Sequence, residues 1–225
     1  MNIAFIPVRG GSKSIPLKNI KFINGKPLVY WAVKAANDAK TIDKVVVATD
    51  NFQIKNTVLQ FNMDKLTIYD RKSENAQDTS STESVILEYI NFAKPNLNDN
   101  FILIQATSPL IRAEDIDGMW HKLKNSDADS IFSCVREKQF HWIETQSGVK
   151  PLNYDPFNRP RRQDFKGILV ENGACYISTV ENIKNSKCRI SGKIDFYEML
   201  PETAYEIDEE TDFIIIEQIM KNKMC

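Results

Sequence analysis

The 225-residue sequence predicts an α/β fold: a single, mostly parallel sheet with helices on both faces, arranged in three layers. Three observations predict it. Short apolar runs alternate with helix-period segments from residue 1 to about residue 135. The runs are apolar throughout, as in strands covered on both faces, rather than alternating as in half-solvated ones. After Val135 the rhythm breaks into aromatic-rich, proline-containing segments, so residues 136–170 are expected to form a small β-rich arm inserted before the chain returns to the main sheet. The whole of 1–225 reads as one domain, a size that one large core can serve.

The elements follow in order. Ile3–Val8 (IAFIPV) is a buried strand, and Pro27–Ala39 an amphipathic helix with proline at its first turn. Lys44–Asp50 is the second strand and ends in a polar Thr-Asp pair; Asn51–Phe61 is a helix and Leu66–Asp70 a third strand. Ser80–Lys94 opens with hydroxyl residues and a glutamate at capping spacing, which predicts a helix. Asn100–Pro109 reads as the most apolar strand, breaking at Pro109 before a helix over Ala113–Lys124 and a strand over Asp129–Val135. Asn172–Ser178 returns to the sheet, and Asp208–Asn222 is a C-terminal helix that begins with acids.

Lys and Arg number 29 against 30 Asp and Glu, so the overall charge argues against a nucleic-acid or membrane partner, and any basic site must be local. The four cysteines are scattered without a CxxC pair, which excludes a zinc ribbon and suits reduced thiols. No run reaches the ~18 apolar residues of a membrane span. The start, Met-Asn-Ile-Ala, carries no secretory pattern, and a cytoplasmic location is expected.

Four segments could carry chemistry. FIPVRGGSKSIPLKN (Phe5–Asn19) lies after the first strand, where parallel sheets bind ligands. Gly10 and Gly11 permit a close backbone approach, Ser12 adds a hydroxyl, and Arg9, Lys13 and Lys18 add positive charge, together suiting a phosphate. The segment is neither the dinucleotide G-x-G-x-x-G nor a P-loop, because the required glycines are absent. In AYEIDEETD (Ala204–Asp212), Glu206 and Asp208 would point the same way on an extended backbone, as a divalent-cation site wants; alternatively Asp208 caps the last helix. LIQATSPLIR (Leu103–Arg112) brings Gln105, Thr107 and Ser108 to the binding edge of the sheet, or is a plain junction with Ser108 as a cap. NRPRRQDF (Asn158–Phe165) holds three arginines that could grip a carboxylate or phosphate, or could equally be a solvated loop. His121 and His141 lack any ligand pattern.

Taken together, RGGSKSIPLKN, VVVATD, ENAQDTSSTESVI, LIQATSPLIR, RRQDF…ENGACYI and EIDEETDF resemble, in order and over essentially the whole chain, the acylneuraminate cytidylyltransferase family, the CMP-sialic acid synthetases and their relatives. The resemblance implies a Rossmann-like nucleotidyltransferase fold and Mg²⁺-dependent transfer of CMP from CTP to a nine-carbon α-keto sugar acid (a nonulosonic acid), releasing pyrophosphate. It implies a homodimer in which residues 136–170 serve as a dimerisation and sugar-site arm. It assigns Arg9, Gly10, Gly11, Ser12, Lys13, Lys18 and Asn19 to the triphosphate, and Arg71, Ser80 and Ser81 to the cytidine. Gln105, Arg162 and Asn172 fall on the sugar side, and Asp208 with Glu206 on the metal. Arg9, Lys13, Lys18 and Asp208 would be the catalytic set.

Where the family commonly carries Asp, this chain has Glu206, and its sugar-side segments KQFHWIE and LVENGACYI differ from those of the sialic acid enzymes. The acceptor therefore stays open among N-acetylneuraminate, related nonulosonates, a 3-deoxy-octulosonate and a sugar 1-phosphate. A non-catalytic nucleotide-binding protein is disfavoured, since both the cations and the acidic pair are retained.

Overall fold

In the computed structural model the described residues are 1–11, 14–77 and 79–223, with the side chain of Lys223 excepted. Ser12 and Lys13, two of the expected phosphate residues, lie outside them. The elements, in chain order, are β1 (Asn2–Pro7), β2 (Phe22–Ile23), β3 (Lys26–Pro27), α1 (Leu28–Asp38), β4 (Lys44–Thr49), α2 (Phe52–Leu59), β5 (Leu66–Asp70), α3 (Thr82–Ala93), β6 (Asn100–Ile104), α4 (Ala113–Lys124) and β7 (Ser130–Glu137). Then come β8 (Trp142–Thr145), β9 (Gly148–Pro151), β10 (Ile168–Thr179), α5 (Val180–Ser186), β11 (Ile194–Glu198) and α6 (Glu210–Lys223).

Seven strands make the main sheet in the order β11-β7-β10-β6-β1-β4-β5. The pairs β1–β4, β1–β6, β4–β5 and β11–β7 are parallel, while β10 runs antiparallel to both β6 and β7. The expected α/β class is therefore found.

Strand β1 shows why both faces are covered. Ala4 and Ile6 face a core with Val29, Ala32 and Val33 of α1, Ile54 and Val58 of α2, and Ile116 and Met119 of α4. Ile3 and Phe5 face the other way, onto Val85, Ile86, Tyr89 and Ile90 of α3 and Val180 and Ile183 of α5. The strand's period of two thus feeds two cores, and the result is three layers. A third cluster seats Phe213, Ile216 and Met220 of α6 against Ile15, Ile23 and Leu28, which ties the last helix to the segment after β1.

Several boundaries differ from the expectation. The strand expected over Asn100–Pro109 ends at Ile104, because the chain turns there: Ser108 N–H donates to the Gln105 carbonyl at 3.2 Å. The strand expected over Asn172–Ser178 is instead twelve residues long, Ile168–Thr179, because it pairs with an extended β7 from Ile168↔Glu137 onward and is interrupted by a bulge between Glu171 and Tyr176. The region expected as a β-rich arm shrinks to the β8–β9 hairpin, a short 3-10 turn at Pro156–Asn158 and their connections. Helix α5 and strand β11 were not foreseen.

Candidate active site

A cleft of about 300 Å³ opens beyond the carboxyl ends of β1, β5 and β6, and its wall is formed by Pro7, Arg9, Lys18, Asn19, Arg71, Ser80, Ser81, Thr82, Val85, Gln105, Ala106 and Thr107. Eight of these, Arg9, Lys18, Asn19, Arg71, Ser80, Ser81, Gln105 and Thr107, are residues picked out from the sequence.

The loop after β1 is built for fixed placement. Leu17 takes a left-handed conformation, φ 52°, uncommon for a branched residue and of the kind found where a structure holds a functional segment under strain. The short helical turn that follows puts Lys18 and Asn19 inside, each under one-tenth exposed. Asn19 Nδ2 donates to the Arg9 carbonyl at 3.2 Å, closing the loop on itself. Lys18 Nζ donates to the Ile207 carbonyl at 2.8 Å and to Asp208 Oδ1 at 3.2 Å. Ser14 Oγ also donates to the Asp208 carbonyl, at 2.6 Å, so the first loop and the segment before α6 form one wall although about 190 residues separate them.

The close backbone approach expected at these glycines is made, at Gly10, to the protein's own Asp50 and Asn51. Neither Gly10 nor Gly11 uses the left-handed region. Gly10 N–H already donates to Asp50 Oδ1 at 3.1 Å, and a Cβ at Gly10 would lie 2.5 Å from Asn51 Nδ2. Glycine is needed at Gly10 for close packing on Asn51, whose side chain caps α2 by accepting from Gln53 N–H and Ile54 N–H. No described residue lies within 4 Å of where a Cβ at Gly11 would stand.

Arg71 enters the cleft wall from just after β5, 9% exposed. Its Nη2 donates to the Asn75 carbonyl, and its Nε has no hydrogen-bond partner among the described residues. Burial lowers its pKa, with nearby Arg9 acting in the same direction, while Asp50 and Glu88 oppose the shift. Ser80 Oγ donates to the Glu74 carbonyl, and Ser81 caps α3 by accepting from Ser84 N–H at 3.1 Å.

The acidic pair lies beside this wall. Ile207, between Glu206 and Asp208, is fully buried while its two neighbours are exposed, as an extended backbone dictates. Asp208 Oδ1 accepts from Lys18, while Asp212, in the first turn of α6, reaches back with Oδ2 accepting from Asp208 N–H at 2.8 Å and Glu209 N–H at 2.7 Å. Desolvation, then the charge of Asp208, raises the Glu206 pKa, and Lys18 opposes this. The two carboxylates therefore sense one another, with a lysine partly neutralising them. Glu206 also adjoins Gln105 across Gly173: a Cβ there would meet Gln105 Nε2 at 3.3 Å and Glu206 Oε2 at 3.4 Å. Gly173, at φ +68°, sits in the β10 bulge. Among the described residues no group of three or more His, Cys, Asp or Glu side chains gathers as a metal cage.

Two expected sugar-side residues lie elsewhere. Asn172 is 6% exposed, and its amide is engaged inside the protein: Oδ1 accepts from Ser133 Oγ at 2.7 Å, while Nδ2 donates to the Thr203 carbonyl at 3.2 Å and Thr203 Oγ1 at 3.0 Å. It is not part of the cleft wall. Arg162 is exposed on the arm, where its neighbour Arg159 stacks 4.6 Å from the Phe140 ring centroid. Ser108 is buried and is not a helix cap, since α4 begins after Arg112. Among residues not singled out beforehand, Thr82 and Val85 come from the first turn of α3, a position its capping signal could have flagged, and Asp50 ends the polar Thr-Asp pair.

Fold and cleft together define the class: an α/β protein with a cation-lined pocket at the carboxyl edge of a mostly parallel sheet, the nucleotidyltransferase arrangement. The family model described as cytidylyltransferase matches residues 3–224, and the chain belongs to the cytidylyltransferase family. It is 40% identical over 220 residues to the N-acylneuraminate cytidylyltransferase of Oncorhynchus mykiss, covering 96% of this chain and 49% of that protein. It is 27% identical over 217 residues to the N-acylneuraminate cytidylyltransferase of Streptococcus agalactiae serotype III, covering 94% and 51%. The chain thus spans about half the length of the curated relatives it matches. Among solved structures, a CMP:2-keto-3-deoxy-manno-octonic acid synthetase complexed with CTP aligns with a TM-score of 0.70 at 18% identity over 99% of both chains. A 4-diphosphocytidyl-2C-methyl-D-erythritol synthase aligns with a TM-score of 0.71 at 10% identity, covering 97% and 98%. At such identities these two establish the fold alone.

Proposed function

We propose that the chain activates a nine-carbon α-keto sugar acid of the sialic acid type with CTP, yielding the CMP-sugar and pyrophosphate. The observation that carries this reading is the convergence of Arg9, Lys18, Asn19, Arg71, Ser80, Ser81 and Gln105, scattered along the sequence, on one cleft. Membership of the cytidylyltransferase family and the names of the relatives support it.

In the proposed reaction the anomeric hydroxyl oxygen of the sugar forms a bond to the α-phosphorus. The bond from that phosphorus to the bridging oxygen of the β-phosphate breaks, pyrophosphate leaves with the electron pair, and the hydroxyl proton is released. The protein's work is positioning and charge neutralisation. Arg9 and Lys18, with Lys13 and Ser12 of the same loop, would offset the charge that develops on the departing pyrophosphate. Gly10, Gly11 and Asn19 would shape that loop, Arg71, Ser80 and Ser81 would hold the cytidine, and Gln105 would orient the sugar.

Mg²⁺ fits the acidic pair, since both donors are carboxylates and such ions are completed by substrate phosphate oxygens and water. Glu206 and Asp208 would hold it, and when bound it would offset phosphate charge. Asp208 would do so beside Lys18, its present partner.

The reading extends to a homodimer in which residues 136–170 contribute to the interface and, through Arg162, to the sugar side. One domain spans 1–225. A cytoplasmic location is supported by free thiols at the described cysteines Cys134, Cys175 and Cys188; no described helix is long and apolar enough to cross a membrane.

The test is pyrophosphate release from CTP against nine-carbon keto acids, an eight-carbon 3-deoxy keto acid and a hexose 1-phosphate. Release with a nine-carbon acid alone is expected. Activity only with the sugar phosphate would overturn the proposal.

A further inference from the structure

Glu88, on α3, lies outside the cleft wall but is connected to it. Its Oε1 accepts from Tyr69 O–H at 2.7 Å and Lys72 N–H at 2.8 Å, and its Oε2 accepts from Asn75 Nδ2. Three donors from one stretch of chain, the end of β5 and the turn after it, thus converge on a single carboxylate. The carbonyl of Asn75 in turn accepts from Arg71 Nη2, and the short helical turn Ser73–Asn75 closes between them. Arg71 is 9% exposed and forms part of the cleft wall.

We propose that Glu88 is a positioning residue for nucleotide recognition: it pins the 72–75 turn, and through the Asn75 carbonyl it fixes the direction in which Arg71 presents its guanidinium to the base. The inference rests on the reading of this cleft as a CTP site. Its physical basis is that a guanidinium is a rigid planar fork, which discriminates between acceptor edges only when its plane is held. Arg71 Nε has no hydrogen-bond partner among the described residues, and the tie at Nη2 is the described bond that orients the group. Burial alone would raise the Glu88 carboxyl, yet the hydrogen bonds from Asn75, Lys72 and Tyr69 hold it below the usual range, so it is anionic at neutral pH. Tyr69 responds in the matching direction: burial first, then the bond to Glu88, pushes its hydroxyl up, keeping it a donor.

The experiment is calorimetric titration of CTP and UTP into the wild-type chain, Glu88→Ala and Glu88→Gln, with steady-state kinetics on the same proteins and circular dichroism to establish folding. Glu88→Ala is expected to weaken CTP binding about tenfold and raise KM for CTP alike, the loss of a charged hydrogen bond at one remove, with kcat within about twofold. Its preference for CTP over UTP should fall. Glu88→Gln should stay within about threefold of wild type, because the amide oxygen still accepts from Tyr69 and Lys72 while the Asn75 amide can turn over.

An unchanged Kd and KM in folded Glu88→Ala would overturn the inference, as would a loss confined to kcat. Should that variant fail to fold, Asn75→Ala cuts the Glu88 tie yet keeps the carbonyl that holds Arg71, and the same rise is expected; unchanged binding overturns the proposal. A wild-type chain that binds no CTP would overturn the cleft reading and this inference with it, an outcome distinct from the failure of Glu88 alone.

Discussion

Asn172 offers a sharp separation between a sugar-binding role and a structural one. Replacing it by alanine removes the acceptor of Ser133 Oγ, at 2.7 Å, and the donor to the Thr203 carbonyl and hydroxyl, at 3.2 and 3.0 Å. Ser133 is fully buried and Thr203 is 3% exposed, so water does not replace the lost partners without rearrangement. Each buried group left unpaired costs about 1–3 kcal/mol. Two such groups, the Ser133 hydroxyl hydrogen and the Thr203 carbonyl, therefore set a loss of about 2–6 kcal/mol. For a chain of this length each kcal/mol lowers Tm by about 2–4 °C, so a fall on the order of 10 °C is expected. Urea unfolding followed by circular dichroism reads the loss, and sugar-dependence kinetics on the folded fraction should show an unchanged KM for the acceptor. A variant with wild-type Tm and a raised acceptor KM would refute the structural account and put the side chain on the substrate.

Three further outcomes follow from the same geometry. Gly10→Ala should lower stability by about 1–2 kcal/mol, because its Cβ displaces Asn51 from the α2 cap, whereas Gly11→Ala should be neutral or stabilise by up to about 1 kcal/mol; paired thermal melts decide it. Glu83 is bonded to Arg189 Nε at 2.6 Å, and although burial opposes it, this pairing holds its carboxyl below the usual range. A depressed acid stabilises the fold above its unfolded value, about 4.3 for Glu, and that contribution is lost as pH falls through the folded value; Glu83→Gln should therefore flatten the acid limb of stability against pH. An unaltered limb in the Gln variant would remove Glu83 from the account.

How much was legible beforehand depended on whether the signal was local. The strands at Ile3–Val8 and Lys44–Asp50 could be read because an apolar run buried on both faces needs no knowledge of its neighbours. The length of β10 could not, since residues 168–171 become strand only by pairing with Glu137 to Cys134, some thirty residues earlier. Helix α5 has seven residues and rests on one capping hydroxyl, that of Thr179, too little periodicity to stand out. In the site, Arg9, Lys18 and Asn19 formed a compact motif and Arg71 was found by resemblance, but Glu88 reads along α3 like any solvated helical glutamate. Its three donors come from residues 69–75, a juxtaposition that only the fold makes. For Asn172 the hidden part is its hydrogen bonding: it sits among motif residues, and its partners, Ser133 and Thr203, are 39 and 31 positions away.

The antiparallel course of β10 in the main sheet also explains where the arm emerges. Because β10 opposes β6 and β7, the carboxyl end of β7 and the amino end of β10 lie at the same edge as the carboxyl end of β6, which delivers Gln105 to the cleft. Residues 138–167 must therefore leave and rejoin the sheet at the edge where the cleft opens. The β8–β9 hairpin forms its own two-stranded sheet, not hydrogen-bonded to the seven-stranded one. Leu152 N–H donates to the His141 carbonyl at 2.8 Å, so the two ends of the excised stretch 142–151 are already neighbours, and its side chains are mostly exposed. Replacing 142–151 by a two-residue turn should keep cooperative unfolding and shift Tm by no more than about 4 °C, roughly one kcal/mol in a chain of this size. The ladder from Ile168↔Glu137 inward remains whole in that variant. Loss of cooperative unfolding would mean that the hairpin carries part of the sheet's stability, and the account of the arm as an outgrowth of an independently stable edge would be wrong.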